Sequence, residues 1–342
     1  MSVSVKRGII LMNLGSPDST STKDVKKYLD EFLMDGRVID TPFLWRTILV
    51  RGIITPFRAA KSAEAYASIW TKDGSPLVHI TRQVQEKLQQ KIKEPVEIAM
   101  RYGAPAMKLA YDNMAAKHPD VEEVVLLPMY PHYAMSSFET AVVHAEDVYN
   151  AGNYKFSIST IAPFYNDPAY IHALSESIRP YIHDGGHLLF SYHSIPERHI
   201  NKSDITGNHC LKVADCCHVD SPAHKFCYRH QCFITMELVA KELGLAKGSY
   251  SISFQSKLGR AAWLTPGTTA RMEQMPAEGI KDIMVVCPSF VSDCLETLEE
   301  VAIREKENFL KAGGEKYAFI PCMNIQPLWI KAIIEKVGGT LV

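Results

Sequence analysis

The chain has 342 residues, of which 46% are hydrophobic, enough for about two domains with ordinary cores. Its formal charge is −1, from 37 basic and 38 acidic residues, so there is no basic excess to bind nucleic-acid phosphates. No stretch reaches the roughly 18 consecutive apolar residues of a membrane span, and the N-terminus lacks the pattern of a secretory signal. These features predict a cytoplasmic protein.

The N-terminal half alternates short apolar runs with amphipathic segments, which predicts strands separated by helices. The strands are expected over 7–13, 97–102, 121–130 and 155–161. The helices are expected over 22–34, 58–70, 77–92 and 106–118, and from Ser136 onward. Long apolar strands in this alternation are typical of a parallel sheet with helices on both faces.

Residues 43–54 form an apolar segment that is interrupted by Arg46 and Arg51. The segment, called the apolar lip below, is too short and too charged to span a bilayer. It is either an ordinary core helix, a surface that rests on a membrane, or the mouth of an apolar pocket. The second and third interpretations require Trp45 and Leu49 to be exposed.

The C-terminal half repeats the alternation of strands and helices. The strands are expected over 187–193, 249–255, 282–288 and 315–320, and the helices near 168–183, 231–244, 294–311 and 327–337. We therefore predict an α/β fold of two Rossmann-like domains, each with a four-stranded parallel sheet flanked by helices. Neither a GxGxxG nor a GxxxxGK[ST] motif is present, so the sequence gives no support for nucleotide binding.

The domains are expected at 1–162 and 163–322, with a C-terminal helix in 323–342 that packs back on the first domain. A cysteine-rich insertion, residues 203–232, interrupts the second domain. We call it the cysteine segment.

His193 closes the strand 187–193, and Pro196 stops that strand because proline has no N–H for the ladder. In open parallel sheets, ligands bind just beyond the carboxyl ends of the strands. The position favours a functional histidine, although a histidine that only satisfies a neighbouring loop fits the same pattern.

A second polar strand end carries Asp293, Glu296 and Glu300. Glu296 and Glu300 are four residues apart and share one helix face. A solvated acidic helix start, favoured by the helix dipole, explains them equally well. The functional interpretation is a path for protons or cations that ends near His193, because a histidine opposite a carboxylate suits divalent metal delivery and proton removal.

The cysteine segment holds five of the eight cysteines of the chain: Cys210, Cys216, Cys217, Cys227 and Cys232. In a reducing compartment such cysteines are free thiols or metal ligands. The segment is too polar for inert core thiols, and it lacks the C-x2-C pairs that are common in structural zinc sites. Four thiolates at irregular spacing favour an iron–sulfur cluster, with zinc as the alternative. We expect Cys216 or Cys217 to be the spare thiol, because adjacent residues rarely bind one site together.

Ordered motifs along most of the chain resemble those of ferrochelatases. They are Leu11–Pro17 (LMNLGSP), Gly74–Pro76, Met100–Tyr102, Tyr130–Tyr133 (YPHY), Ser191–Pro196 (SYHSIP), Gln255–Lys257, Trp263–Pro266 (WLTP) and Phe290–Thr297 (FVSDCLET). The resemblance implies two Rossmann-like domains with a porphyrin cleft between them. It also implies that His193 and Glu296 are the central active-site pair and bind the Fe2+ substrate, with Asp293 and Glu300 on the path that supplies it.

The resemblance further implies a set of residues that line or support the porphyrin pocket. They are Met12, Tyr66, Arg101, Tyr102, Tyr130, Trp263 and Glu300, and we add Ser75 and Arg58 to the expected porphyrin contacts. Arginine suits carboxylates, so Arg58 and Arg101, together with Lys61, are expected to pair with porphyrin propionates.

Two departures from the animal enzymes matter. Cys294 stands where those enzymes have a histidine, and the chain lacks their C-terminal cysteine-rich extension. Cysteines within the second domain are similar to those of some bacterial ferrochelatases with an internal [2Fe-2S] cluster.

The expected activity is Fe2+ insertion into protoporphyrin IX, the last step of haem biosynthesis. Met12 stands where some coproporphyrin enzymes have tyrosine, which favours protoporphyrin over coproporphyrin. The alternative of another class is a non-catalytic regulator that binds metal or an iron–sulfur cluster. The expected partners are the porphyrin and Fe2+ substrates and, through the apolar lip, the inner face of the cytoplasmic membrane.

Overall fold

The structure is a computed structural model that describes residues 6–257, 259 and 261–342. The chain divides into two compact units. The first unit comprises 6–129, Met135–Pro163 and Ile330–Val342, and the second comprises Tyr130–Ala134 and Phe164–Trp329. The chain thus enters the second unit first at Tyr130–Ala134 and again after Pro163, where the sequence placed a boundary at 162, and it returns to the first unit inside its last helix.

The first unit contains a four-stranded parallel sheet in the order β2-β1-β3-β4. Its strands are β1 (Arg7–Ser16), β2 (Val96–Gly103), β3 (Glu123–Pro128) and β4 (Ser157–Thr160). Its helices are α1 (Thr22–Leu33), α2 (Phe43–Thr47), α3 (Thr55–Ile69), α4 (Pro76–Gln89), α5 (Met107–Lys117) and α6 (Thr140–Ala151). π-helical segments at Ile48–Ile54 and Met135–Glu139 lead directly into α3 and α6.

The second unit contains a four-stranded parallel sheet in the order β6-β5-β7-β8. Its strands are β5 (His187–His193), β6 (Tyr250–Gln255), β7 (Asp282–Val286) and β8 (Lys316–Phe319). Its helices are α7 (Pro168–Ile178), α8 (Glu197–Ser203), α9 (Tyr228–Leu243), α10 (Thr268–Gln274) and α11 (Lys306–Lys311), and α12 (Pro327–Val337) crosses into the first unit. A π-helix (Glu296–Glu305) precedes α11, and short 3₁₀ helices occupy Arg179–Tyr181 and Pro222–Phe226.

These sheets confirm the predicted α/β fold with two four-stranded parallel sheets flanked by helices. The central strands are apolar along their length because helices cover both of their faces. In β5, for example, Leu188, Leu189 and Phe190 are at most 1% exposed. The short helix α10 was not predicted, since seven residues are too few for a helical period to stand out.

Among the described residues, no helix combines the length and apolar character that crossing a membrane requires.

Candidate active site

His193 is the last residue of β5 and is half-buried. Its Nδ1 lies 2.7 Å from the carbonyl oxygen of Ser194. Because a carbonyl oxygen only accepts hydrogen bonds, the ring proton is placed on Nδ1 and the lone pair on Nε2. The side chain therefore offers a neutral nitrogen that can accept a proton or contact a metal ion.

Two hydroxyl groups hold the backbone of His193. The Tyr228 hydroxyl donates to the His193 carbonyl at 2.8 Å, and the Ser289 hydroxyl oxygen accepts from the His193 N–H at 3.1 Å. The two hydroxyls lie 2.9 Å apart. Since the single Tyr228 proton goes to His193, Ser289 donates to Tyr228. These three bonds close a ring that sequence reasoning did not find.

Glu296 begins the π-helix that follows β7, and the side chain of Gln255 connects this helix to the end of β5. Gln255 is the partner of His193 in the sheet, and its Nε2 donates to the Glu296 carbonyl at 3.2 Å. The structure therefore brings the His193 and Glu296 segments to the same edge of the sheet, as the alternation of strands predicts.

Glu300 lies one helical turn after Glu296, and both side chains are half-buried. The Ser256 hydroxyl donates to Glu300 Oε2. Arg304 forms an ion pair with Glu300 Oε1 at 3.2 Å. Part of the Glu300 charge is therefore already balanced by the protein.

Asp293 is 5% exposed, and its carboxylate accepts three hydrogen bonds. The donors are the Thr297 hydroxyl at 2.9 Å, the Asn324 amide at 2.7 Å and the Cys322 N–H at 3.2 Å. A buried carboxylate with these partners is well suited to holding the start of the π-helix in place. The path role expected for Asp293 stays a prediction.

Cys294 is buried next to the Glu296 carboxylate. Burial raises the pKa of the Cys294 thiol, and the negative charge of Glu296 raises it further. The thiol therefore keeps its proton and donates it to Glu296 in a hydrogen bond. Cys294 thus supplies a hydrogen-bond donor to Glu296, and unlike a protonated histidine this donor carries no positive charge.

Trp263 lies beside the end of β5. It forms an isolated β-bridge with Pro196, and the N–H of the next residue, Leu264, donates to the Ile195 carbonyl at 3.2 Å. The backbone at the half-buried Trp263 is therefore held by the loop that follows His193. Of the residues assigned to the porphyrin pocket, Trp263, Tyr130 and Glu300 belong to the second unit.

Comparisons with known proteins identify the family. A family model described as Ferrochelatase matches residues 6–341. The chain belongs to the ferrochelatase family. A protein named Ferrochelatase from Opitutus terrae is 48% identical over 97% of this chain and 96% of its own length. Those from Pseudomonas fluorescens SBW25 and Pseudomonas aeruginosa LESB58 are 45% and 44% identical, over 95% and 97% of this chain and 95% and 98% of their own lengths.

The family assignment confirms the prediction of an enzyme that inserts Fe2+ into a porphyrin, and its place in haem biosynthesis. The porphyrin and the ferrous ion are the expected substrates of a ferrochelatase, as the motifs implied.

The remaining residues that the ferrochelatase motifs assign to porphyrin lie in the first unit. Met12 in β1 and Tyr66 in α3 are buried, and Ser75 is the buried residue before α4. Arg58 on α3 is exposed, so its guanidinium is accessible to a carboxylate ligand.

Arg101 and Tyr102, at the end of β2, both bind Asp35. Arg101 donates to Asp35 at 2.6 Å and to Thr140 at 2.9 Å, and the Tyr102 hydroxyl donates to Asp35 at 2.9 Å. Burial opposes the charge of Asp35, but the hydrogen bonds from Thr140 and the Arg37 N–H, together with the Arg101 charge, lower its pKa. Arg101 is therefore largely engaged inside the protein.

The cysteine segment gathers sulfur atoms around the start of α9. Cys227 is the residue that caps α9, and its Sγ accepts from the His230 N–H at 3.5 Å. Hydrogen bonds from the Cys210 and Cys217 thiols lower the pKa of Cys227 well below its usual value. The thiols of Cys210 and Cys217 therefore each contact Cys227.

Further donors surround these sulfur atoms. Arg229 Nη1 lies 3.3 Å from Cys217 Sγ and 3.7 Å from Cys216 Sγ. The Leu211 N–H donates to Cys216 Sγ at 3.3 Å. A guanidinium and backbone N–H groups aimed at sulfur stabilise thiolates. The segment is compatible with a metal cluster.

Cys232 has a different environment. It lies within α9, is fully buried, and its sulfur hydrogen-bonds with the Tyr228 side chain. Burial raises the pKa of the Cys232 thiol well above the usual value, so this thiol keeps its proton. This placement favours Cys232 as the spare thiol, where the sequence led us to expect Cys216 or Cys217.

Another group of metal-ligand side chains, His172, Glu176 and Glu242, lies on the surface formed by α7 and α9. His172 pairs with Glu242 at 2.7 Å, and Glu176 pairs with Arg179. Each of the three side chains therefore already has a partner within the protein.

Proposed function

We propose that this chain inserts Fe2+ into protoporphyrin IX to make protohaem. The observation that carries the proposal is the meeting of the His193 and Glu296 segments at one sheet edge in a member of the ferrochelatase family. Its relatives from Opitutus and Pseudomonas bear the name Ferrochelatase.

In the proposed reaction, Fe2+ replaces the two protons on the pyrrole nitrogens. His193 Nε2 accepts a proton or makes the first contact with the metal. Glu296 and Glu300 carry protons or Fe2+ towards His193, because carboxylates bind hard cations and exchange protons readily. Insertion transfers no electrons, so the iron remains ferrous and no redox partner is needed.

The porphyrin is proposed to contact Met12, Tyr66, Ser75, Tyr102, Tyr130 and Trp263. Trp263 is the residue of this set that is held beside His193 by its own loop, so it is suited to press on the macrocycle near the reacting nitrogens. Arg58 and Lys61 are exposed on α3 and are the better candidates for the propionates. Arg101 is the weaker one, because Asp35 occupies its guanidinium.

An anaerobic assay tests this function. Purified protein is mixed with Fe2+ and either protoporphyrin IX or coproporphyrin, and the porphyrin absorption bands are followed. Faster conversion of protoporphyrin supports the proposal. Faster conversion of coproporphyrin favours the alternative substrate, and conversion of neither favours a regulator.

We further propose that the protein is cytoplasmic and that the apolar lip makes peripheral contact with a membrane. Large apolar side chains of the lip, and of Phe57 three residues beyond it, are exposed, notably Trp45 at 66% and Phe57 at 80%. Leu49 is different, because it packs against the buried Leu33, Ile39 and Val50. The lip is thus half buried and half exposed, and Leu49 belongs to its buried side.

Replacing Trp45 and Phe57 with serine should weaken binding to lipid vesicles about tenfold or more, because each exposed aromatic adds apolar area that a bilayer can bury. Co-sedimentation with vesicles measures the effect, and thermal unfolding should stay unchanged. Leu49→Ser is the matched comparison and should lower stability instead. Vesicle binding that equals wild type in the double variant would contradict membrane contact through the lip.

We propose that the cysteine segment holds a [2Fe-2S] cluster through Cys210, Cys216, Cys217 and Cys227. The four ligands of one tetrahedral zinc ion lie about 3.8 Å from one another. Within the part of the chain that the structure describes, no three of these thiols lie within 4.8 Å of one another. Two irons spread the four ligands into two pairs, so this set fits the cluster better than zinc.

Fresh protein should be coloured and should contain iron and sulfide in equal amounts. Each of Cys210→Ser, Cys216→Ser, Cys217→Ser and Cys227→Ser should lower cluster occupancy severalfold, because serine is a poorer ligand for this soft site. Cys232→Ser is the matched control and should keep wild-type occupancy. Colourless protein with one zinc per chain would reject the cluster.

A further inference from the structure

Tyr228 occupies a position between two features that the proposed function treats separately. It follows Cys227 directly in the chain and is the first residue of α9. Its side chain is buried, and its hydroxyl donates to the carbonyl of His193 at 2.8 Å. One residue therefore connects a proposed cluster ligand to the active-site histidine.

The connection is stiff at both ends. At the cysteine end, Cys227 caps α9, and Gln231 fixes the preceding loop by donating to the Lys225 carbonyl at 2.9 Å. At the histidine end, Ser289 completes the ring by accepting from the His193 N–H and lying 2.9 Å from the Tyr228 hydroxyl. A displacement of Cys227 therefore moves Tyr228, and the ring passes this displacement to both backbone polar groups of His193.

The ring fixes the direction of the imidazole as well as its place. The proton on Nδ1 is held by the carbonyl of Ser194, the next residue of the same backbone. If the backbone at His193 turns, the carbonyl that selects the tautomer turns with it. Nε2 then points away from the position at which it accepts a proton or contacts the metal.

We propose that Tyr228 is a positioning residue that holds His193 through its backbone and makes the orientation of His193 depend on metal binding by Cys227. The proposal rests on the proposed function. In this proposal the cluster has a structural role: when the cysteine segment binds metal, the start of α9 keeps its position relative to the end of β5.

Tyr228→Phe tests the hydrogen bond, since it removes only the hydroxyl. We expect kcat to fall about 10- to 100-fold, in line with small misplacements of a reacting group. KM for porphyrin should stay within about twofold, and the visible spectrum of the cluster should stay that of wild type. A loss of stability alone would leave kcat unchanged. Tyr149→Phe is the matched control, because it removes a similar tyrosine bond to a carbonyl, that of Phe156 in the first unit.

A second readout does not need activity. In protein labelled with ¹⁵N-histidine, the ring signals of His193 are identified by their absence from His193→Ala. They should shift in Tyr228→Phe and in Ser289→Ala, which breaks the ring from a different loop. They should not shift in Tyr192→Phe, whose buried hydroxyl makes no hydrogen bond to the described residues. Wild-type ring signals and kcat in both Tyr228→Phe and Ser289→Ala would overturn the proposal.

A double-mutant cycle tests the dependence on Cys227. Cys227→Ser should shift the His193 signals, and adding Tyr228→Phe should produce little further shift because both changes act on one connection. If Cys227→Ser does not fold, removal of the metal by a chelator from the wild-type and Tyr228→Phe proteins replaces it. Additive shifts would overturn the link between the two sites. A wild-type protein that inserts no iron would reject the proposed function, yet the cycle would still decide this inference.

Discussion

His193→Ala should fold normally and insert Fe2+ into protoporphyrin IX about 10³-fold more slowly than the wild type, the middle of the range for loss of a general base. The expected loss is large because Nε2 of His193 is a neutral acceptor whose tautomer the Ser194 carbonyl already selects. Gln255 and Ser289, its neighbours at this edge, carry no group that takes up a proton near pH 7.

The measurement is the initial rate of insertion under anaerobic conditions, with circular dichroism and the cluster spectrum as checks of folding. His183→Ala is the matched control, because His183 lies in the same unit on the surface and pairs with Asp282 and the Tyr181 carbonyl. It should show the wild-type rate. A wild-type rate in His193→Ala would remove the histidine from the mechanism.

Much of this site was predictable from local sequence pattern. Apolar runs that end in polar residues place His193 and Glu296 at strand ends, and the order of strands in a parallel sheet then places both at one edge. The family motifs point to the same two residues. Local pattern is informative here because His193 ends β5 and Glu296 begins the helix after β7, and strand ends and helix starts are visible in the sequence.

The contacts of the site were not predictable in the same way. Tyr228 and Ser289 reach His193 from 35 and 96 residues away, and nothing in the local pattern marks them as its partners. The partner of Arg101 was equally hidden, since Asp35 lies 66 residues earlier in the chain. Hydrogen bonds across such separations follow from tertiary packing alone.

The face of a helix on which a residue lies explains why Cys232 and Leu49 differ from their sequence-based predictions. Cys232 and Cys227 are close in sequence, but Cys227 caps α9 while Cys232 lies inside it, next to buried tyrosines. Leu49 and Trp45 both belong to the apolar lip, but Leu49 packs on a buried cluster and Trp45 does not. Hydrophobic residues occupy eight of the twelve positions 43–54 and fall on every side of a helix, so the sequence offers no clear period from which to choose the buried face.

Glu296→Gln should reduce kcat/KM for Fe2+ about 10²-fold, whereas Glu300→Gln should reduce it about tenfold or less. Both changes keep the shape of the side chain and remove its charge. The backbone of Glu296, at the start of the π-helix, is tied to Gln255, the sheet partner of His193, so Glu296 is the carboxylate residue of this helix that is connected to the His193 strand end. Glu300 already pairs with Arg304 and Ser256. Removing its charge should therefore weaken Fe2+ binding less than removing the charge of Glu296.

Fe2+ titrations at saturating porphyrin separate the two variants, because a path residue affects the dependence on metal and leaves porphyrin binding unchanged. Glu307→Gln, an exposed carboxylate of α11 that pairs only weakly with Lys311 at 3.5 Å, serves as the control for loss of one negative charge. Wild-type kinetics in Glu296→Gln would contradict its role in metal or proton transfer. A larger loss in Glu300→Gln would instead place the critical carboxylate one turn further along the π-helix, where Arg304 and Ser256 hold it.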